Sequence, residues 1–265
     1  MKVNDPWESG LPYEPFMGRW SRQIAPVFLE WLSKPDALTW LDVGCGTGAL
    51  SFLIFQRTNP KAVLGVDSSE AFIQHARQLA QGTPVLRFET GTAEALPAQN
   101  ASFDLTVSAL ALNFFPDPIA CLLEMKRVTR IDGEIALYVW DYATGMQMLR
   151  YFWDAAVSLF PDAADLDEMN RFPICQSEAL EATFVKAGLN VIELRALEAP
   201  TLFTSFADYW QPFLGGVGPA PGFVAALRLE EREALVTALQ AKLPIQADGS
   251  IPLMARAWAI RASLL

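Results

Sequence analysis

An α/β fold, with a doubly wound seven-stranded sheet and a helical cap, is predicted by three observations. Apolar runs of strand length alternate with helix-period segments from about residue 38 to residue 140. A glycine-rich turn, Gly44-Cys45-Gly46-Thr47-Gly48, joins the first of these runs to the first helix between strands. Hydrophobic residues make up 52% of the 265-residue chain and charged residues 19%, enough apolar material to bury a parallel sheet on both faces.

The elements follow in order. Residues 1–37 read as a helical segment ahead of the sheet. Thr39 to Val43, Ala62 to Val66, Val85 to Glu89, Asp104 to Ala109 and Glu134 to Trp140 read as five strands, because each is a short apolar run bounded by turn-forming residues. Ala49 to Gln56, Glu70 to Ala80 and Ile119 to Val128 carry helical spacing between them, and right-handed crossovers then make the strands parallel. A further helix, Glu178 to Ala187, stops at Gly188, and a sixth strand follows from Asn190 to Ala196. Asp248-Gly249-Ser250 is a turn before a final strand, Ile251 to Ala262. The expected division is a core of 38–142, continued at 178–200 and closed by 248–265. Two cap insertions, 143–177 and 201–247, interrupt it. Both are rich in aromatics and in Pro or Gly, and the second holds a helix from Leu229 to Leu243.

Charge narrows the partners. A formal net charge of -10 opposes a phosphate backbone, and no Lys/Arg cluster reverses it locally, so nucleic acid is not the expected substrate. The opening residues lack a basic stretch followed by an apolar one, and no apolar run reaches membrane-spanning length; neither export nor membrane insertion is expected. Cys45, Cys121 and Cys175 form no CxxC pair, which supports neither a disulfide framework nor a metal site and suits a reducing cytoplasm. A monomer or homodimer is expected.

The glycine turn carries the chemistry. A Cβ there would keep a ligand away from the backbone amides and the helix N-terminus. Gly44, Gly46 and Ala49 also satisfy the dinucleotide fingerprint, so the spacing alone admits NAD. Asp42, two residues before the first glycine, would repel a pyrophosphate and favour a ligand with ammonium and sulfonium charges, which points to S-adenosylmethionine (SAM). Asp67, ending the second strand, is placed to accept from both ribose hydroxyls of either cofactor. Phe72 either lies against a purine or packs in the core. Cys45 fits the turn sterically, with nothing nearby to activate its thiol.

Leu41 to Leu50, Gly65 to Ser69, Gly91 to Pro97 and Ser102-Phe103-Asp104 resemble, in order and spacing, the motifs of class I SAM-dependent methyltransferases. The type 11 group, similar to ubiquinone/menaquinone biosynthesis methyltransferases, is the nearest pattern. The resemblance extends through Phe114 to Pro118 and Arg127 to Val139, and begins at Tyr13 to Arg22. It implies a Rossmann-like sheet of six parallel strands with the last strand antiparallel, inserted beside the fifth. It further implies that Gly44, Cys45, Gly46 and Gly48 pack on the methionine and ribose of SAM, that Asp42 lies near the amino group, and that Asp67 and Ser68 hold the ribose. Thr92, Ala93 and Glu94 would meet the adenine edge, and Ser108 and Ala109 would line the end of the fourth strand. Arg19 would take the methionine carboxylate, while Tyr13 and the N-terminal segment close over the cofactor. Two positions depart from the pattern: Thr92 stands where an Asp is frequent, and Asn113 where a histidine is, so proton transfer is not assigned to Asn113.

Methyl transfer from a sulfonium is an in-line displacement of an already activated leaving group. Orientation alone supplies on the order of 7 to 11 kcal/mol in favourable cases, and a base is optional. His75, the only histidine, falls on a helix face expected to be exposed. Asn113, Trp140, Tyr142, Arg171, Tyr209 and Trp210 are candidates for binding a small, partly apolar or aromatic acceptor, and each aromatic equally suits a cap core. The sequence names no catalytic base and no metal ligand. A non-catalytic SAM-binding protein and a NAD-dependent oxidoreductase are the alternative readings.

Overall fold

The computed structural model of the chain describes residues 18–215 and 218–264. In chain order its elements are α1 (Arg19–Leu32), β1 (Thr39–Val43), α2 (Ala49–Thr58), β2 (Ala62–Asp67), α3 (Glu70–Leu79), β3 (Leu86–Thr90), β4 (Phe103–Ala109), α4 (Pro118–Val128) and β5 (Thr129–Trp140). There follow α5 (Gln147–Leu159), α6 (Glu168–Arg171), α7 (Ser177–Lys186), β6 (Asn190–Phe203), α8 (Phe206–Trp210), α9 (Pro219–Ala226), α10 (Leu229–Lys242) and β7 (Ile251–Ser263). The strands form one sheet in the order β3-β2-β1-β4-β5-β7-β6, so the last strand enters beside the fifth as its expected antiparallel role requires. The pairs β2–β3, β1–β2, β1–β4 and β4–β5 are all parallel.

Local chemistry sets the boundaries. Asp117 starts α4 by accepting from the amides of Ile119 and Ala120 at 3.0 Å, with Pro118 at the first helical position, where a missing N–H costs nothing. Gly188, at φ +70, takes the left-handed conformation just past α7, and Lys126 Nζ donates to its carbonyl at 2.6 Å. Two strands run well beyond the limits that the sequence predicts. β5 begins at Thr129 rather than Glu134: Thr129 pairs with Phe103, the register then shifts, and Glu134 pairs with Leu105. β6 runs on past Ala196 to Phe203, burying Leu197, Ala199, Thr201 and Phe203 in strict alternation. Pro200 is tolerated because β6 is an edge strand, where a residue without an N–H need not break a ladder.

The chain divides into two compact units. One comprises Ala25–Val139, Ile174–Leu197 and residues 258–264, and holds β1 to β4 with their helices. Its core is aliphatic, with Leu41, Val43, Ile54, Val66, Val107, Ile135 and Leu137 all buried, and with Phe28 against Tyr138 at 4.7 Å between ring centroids. The other comprises residues 18–24, Trp140–Pro173 and 198–257. It is held by aromatic packing and buried ion pairs. Phe152 stacks on Phe213 at 4.4 Å and 8°, and Phe203 and Tyr209 meet edge to face. Arg150 pairs with Asp167, and Arg256 with Asp141, each at 2.5 Å.

Candidate active site

β1 delivers its last residue, Val43, into the glycine turn, and the turn is tied at once to β2: the amides of Gly44 and Cys45 both donate to the Val66 carbonyl, at 2.8 and 3.1 Å. Gly44 and Gly46 show two different reasons for glycine. Gly44 has φ +70, and a Cβ on it would lie 2.6 Å from Ala111 Cβ and 3.0 Å from the Phe115 ring, so the segment after β4 packs directly on its backbone. Gly46 has φ +55, yet a Cβ there would meet nothing within 4 Å. Around Gly46 the backbone therefore borders open space.

Two carboxylates flank this turn. Asp67 accepts from the Gly46 amide with Oδ2 at 2.8 Å and from the Ser69 amide with Oδ1 at 2.9 Å, which fixes the turn against the end of β2. Each oxygen keeps a second lone pair for another donor. Asp42 is fully buried. Its Oδ2 accepts from the Ser51 hydroxyl of α2 at 2.6 Å, and its Oδ1 is buried with no hydrogen-bond partner. Burial pushes its carboxyl up to about 7 despite the Ser51 hydrogen bond, and the Asp67 charge adds to the rise. Cys45 is buried, and burial, with the charges of Asp42 and Asp67, holds its thiol well above its ordinary range. It is no activated nucleophile.

The neighbouring segments close round the same turn. Gly91 donates to the Asp67 carbonyl at 3.0 Å, which ties the segment of Thr92, exposed, and Ala93, buried, to the end of β2. Glu94 is half-buried, with Oε1 buried and unpartnered. Glu124 and Arg127 of α4 pin the loop that follows: Glu124 accepts from the Leu96 amide at 2.9 Å, and Arg127 donates to the carbonyls of Leu96 and Ala98. Ser108 is buried, and its hydroxyl donates to the Val43 carbonyl at 2.7 Å, joining β4 to the last residue of β1. Ala109 and Asn113 are half-buried, as is Phe72, while Ser68 and His75 are exposed. Between Ala109 and Asn113 lies Leu110, whose φ of +56 is left-handed for a residue with a large side chain. Sequence reasoning missed Ser51, Leu110, Glu124 and Arg127. Only Arg127, within the matched motif region, left a signal there.

Other predicted residues belong to the second unit. Arg19 donates to Asp208 at 3.0 Å and to the Leu202 carbonyl at 2.7 Å, with its guanidinium 4.4 Å from the Trp20 ring centroid. Tyr209 is buried among Phe203, Phe206 and Phe213, and its hydroxyl donates to the Met148 carbonyl at 2.9 Å. Trp210 stacks on Phe206, Tyr142 packs on Phe172, and the Arg171 guanidinium lies 5.1 Å from the same Phe172 ring. Trp140 is buried with its indole N–H unpartnered. Tyr13 lies outside the described residues. The unit also hides a carboxyl that the sequence did not flag: Glu168 accepts from the Trp153 indole N–H, and burial pushes it up to about 7. Among the described residues, no group of three or more His, Cys, Asp or Glu side chains is placed to hold a metal ion, and no helix is long and apolar enough to cross a membrane.

The chain is similar to known proteins. Nocamycin O-methyltransferase of Saccharothrix syringae is 32% identical over 121 residues, covering 44% of this chain and 42% of its own length. Demethylmenaquinone methyltransferase of Lactobacillus johnsonii is 28% identical over 130 residues, 48% of this chain and 53% of its own. The chain thus spans about half, or less, of the length of these curated relatives. In fold, geranyl diphosphate methyltransferase, solved in complex with SAM, superposes with a TM-score of 0.54 at 16% identity, over 100% of this chain and 93% of its own. The family model described as "Methyltransferase domain" matches residues 34–181, from the approach to β1 through the first half of α7. That match takes in more than half of the chain and every element that builds the glycine turn, and the chain belongs to the family of methyltransferase domains that its motifs resemble.

Proposed function

We propose that this chain is a SAM-dependent methyltransferase acting on a small molecule. The observation that carries the reading is the pair of carboxylates at the turn: Asp42, buried with Oδ1 unpaired, and Asp67, bound to the Gly46 amide beside open space. A dinucleotide would bring its pyrophosphate against both acids, whereas an amino acid ammonium and a sulfonium are drawn to them. The residues present therefore fit SAM. Gly44, Gly46 and Gly48 would carry its methionine and ribose, Asp67 the ribose hydroxyls, and Thr92 to Glu94 the adenine edge.

When bound, SAM supplies an electrophilic methyl group on a sulfonium. What the chain's own residues do is hold, align and exclude water. The Ser51 hydrogen bond keeps Asp42 in place under the turn, and Asp67 sets the direction of the Gly46 amide. Methylation of small molecules is supported by the relatives, among them a nocamycin O-methyltransferase and a demethylmenaquinone methyltransferase. Three free, buried cysteines suit a reducing cytoplasm. Trp140, Tyr142, Arg171 and Trp210, expected from the sequence to bind the acceptor, are the side chains whose substitution tests acceptor choice first.

Calorimetric titration with SAM, S-adenosylhomocysteine and NAD tests the proposal. Micromolar binding of the two sulfur compounds is expected, with loss in Gly46→Ala. Binding of NAD alone would overturn it.

A further inference from the structure

β6 lies at the end of the sheet, hydrogen-bonded to β7 on one side and to no strand of the sheet on the other. Every second residue of such an edge points its N–H and C=O outward, where a further strand can take them, and proteins ordinarily blunt the edge with proline or lysine. From Asn190 to Leu197 there is neither; Pro200 comes only after this stretch. On one face of the stretch lies an apolar row, Ile192, Leu194 and Ala196, that is only partly covered: Ile192 is 49% exposed and the other two are half-buried. On the opposite face Arg195 is exposed, and Glu193 is half-buried, 2.8 Å from the Arg261 guanidinium of β7. Two opposite charges, two residues apart on one face, do not simply repel another strand; they select which strand can pair.

We propose that Val191 to Leu197 is a self-association edge, through which two copies of the chain join antiparallel, with Leu194 on the two-fold axis, into one continuous sheet. The inference is independent of the methyltransferase reading. In an antiparallel ladder, residues whose hydrogen-bonding groups point outward oppose one another, so the axis between two copies of one strand passes through a residue and its copy. With Leu194 on the axis, Val191 faces Leu197 of the second copy, Ile192 faces Ala196, and Glu193 faces Arg195, each pair formed twice by symmetry. Apolar meets apolar, and acid meets base. Moving the axis by one residue sets Glu193 against its own copy or Arg195 against its own, a like-charge pair at cross-strand distance. Moving it by two sets Glu193 against Val191 or Arg195 against Leu197, and neither charge then meets its opposite. The strand is its own complement in one register, which is why the occupant is a second copy.

Sedimentation equilibrium of the full chain is expected to show a monomer–dimer equilibrium, with dimer the main species at about 100 µM, a strength suited to a small interface. Arg195→Glu replaces an exposed side chain and sets acids face to face, so association should weaken by about tenfold or more while Tm holds. Glu193→Arg sets bases face to face with the same effect, and mixing the two variants should restore the dimer, because each charge then meets its opposite. Cysteines mark the register. Leu194→Cys is expected to cross-link two chains under mild oxidation, since opposed Cα atoms of an antiparallel ladder lie about 5 Å apart. Ile192→Cys is expected not to, since its two copies would be offset by four residues, about 13 Å along the strands. The native cysteines are buried and do not compete. Should Glu193→Arg, which also loses the Arg261 pairing, fail to fold, Arg195→Glu and the cysteines decide the matter. A monomer at about 100 µM, a dimer indifferent to Arg195→Glu, folded charge variants that do not associate on mixing, no cross-link through Leu194→Cys, or one through Ile192→Cys would each overturn the proposal.

Discussion

Replacing Asp42 by Asn should make the protein more stable than the unaltered chain at neutral and alkaline pH, and the advantage should disappear in acid. Asp42 is fully buried, and its carboxyl is raised from 3.8 to about 7. Between those values the folded protein keeps a proton that the unfolded chain has lost, so folding takes up a proton and stability falls as pH rises through the window, levelling off above about 7. At about 1.4 kcal/mol for each tenfold change, that interval amounts to about 4 kcal/mol. The Ser51 hydroxyl that donates to Asp42 can donate equally to an Asn carbonyl, so the substitution removes the charge and keeps the hydrogen bond. Glu168 is raised to about 7 with the same sign, but it is present in both proteins and cancels in their difference. The assay is guanidinium unfolding of both proteins at intervals from pH 4 to pH 8. The gap should move in favour of Asp42→Asn by several kcal/mol as pH rises. A gap that stays constant across the range would refute the burial argument, and a gap that moves the other way would mean that Asp42 is stabilised as an anion by a group not seen here.

Three further outcomes follow from the same geometry. Binding of SAM near pH 7 should expel a proton from Asp42, because an approaching cation lowers a raised carboxyl; calorimetry in buffers of different ionisation enthalpy should show up to one proton released, and buffer-independent heats would count against cation binding at this carboxylate. Gly44→Ala, which places a Cβ 2.6 Å from Ala111 at a positive φ, should cost about 2 to 4 kcal/mol, whereas Gly46→Ala, with nothing within 4 Å, should cost only about 1 to 2 kcal/mol yet abolish SAM binding. Thermal unfolding and titration separate the two, and equal stability losses would show that Gly46 does not face open space. Asp141→Ala should destabilise the aromatic unit by about 3 kcal/mol in thermal unfolding, since it removes the buried carboxylate to which Arg256 donates and frees the amides of Ala143 and Thr144; a loss below about 1 kcal/mol would show that the pair is solvent-screened.

The fold was most legible where one residue type could satisfy the backbone. Thr39 to Val43 has the limits that the sequence predicts, because Gly44 follows and takes a φ of +70 that leaves the extended conformation. Asp117-Pro118 and Gly188 punctuated α4 and α7 to within a residue. Legibility failed where tertiary context overrides local preference. The sixth strand is expected to stop at Ala196, yet β6 continues through Pro200 to Phe203, because a proline is tolerated at a sheet edge, a place that depends on the order of strands and not on neighbours in sequence. The fifth strand is expected from Glu134, and its start at Thr129 is hidden because the register shift opposite Phe103 and Leu105 is a property of the pair of strands.

The site shows a different limit. Sequence order brought Asp42, the glycines and Asp67 to one turn, and the structure joins them through the Gly46 amide and the Val66 carbonyl. It did not reveal how each charge is held. Asp42 and Asp67 look alike as acids beside a glycine loop, yet one is buried and kept near neutrality while the other is half-exposed and holds two backbone amides. That difference decides their chemistry. A carboxyl poised at about 7 responds to the arrival of a cation by losing its proton, whereas Asp67 accepts from two backbone amides and fixes the direction of the turn. The aromatics divide in the same way: Tyr209 spends its hydroxyl on Met148 inside a ring cluster, while Asn113, an unremarkable amide in the sequence, is left with a donor and no partner. Which polar group a fold satisfies and which it leaves for a ligand is set by packing three or more elements together, and so it separates residues that composition and spacing treat as equivalent.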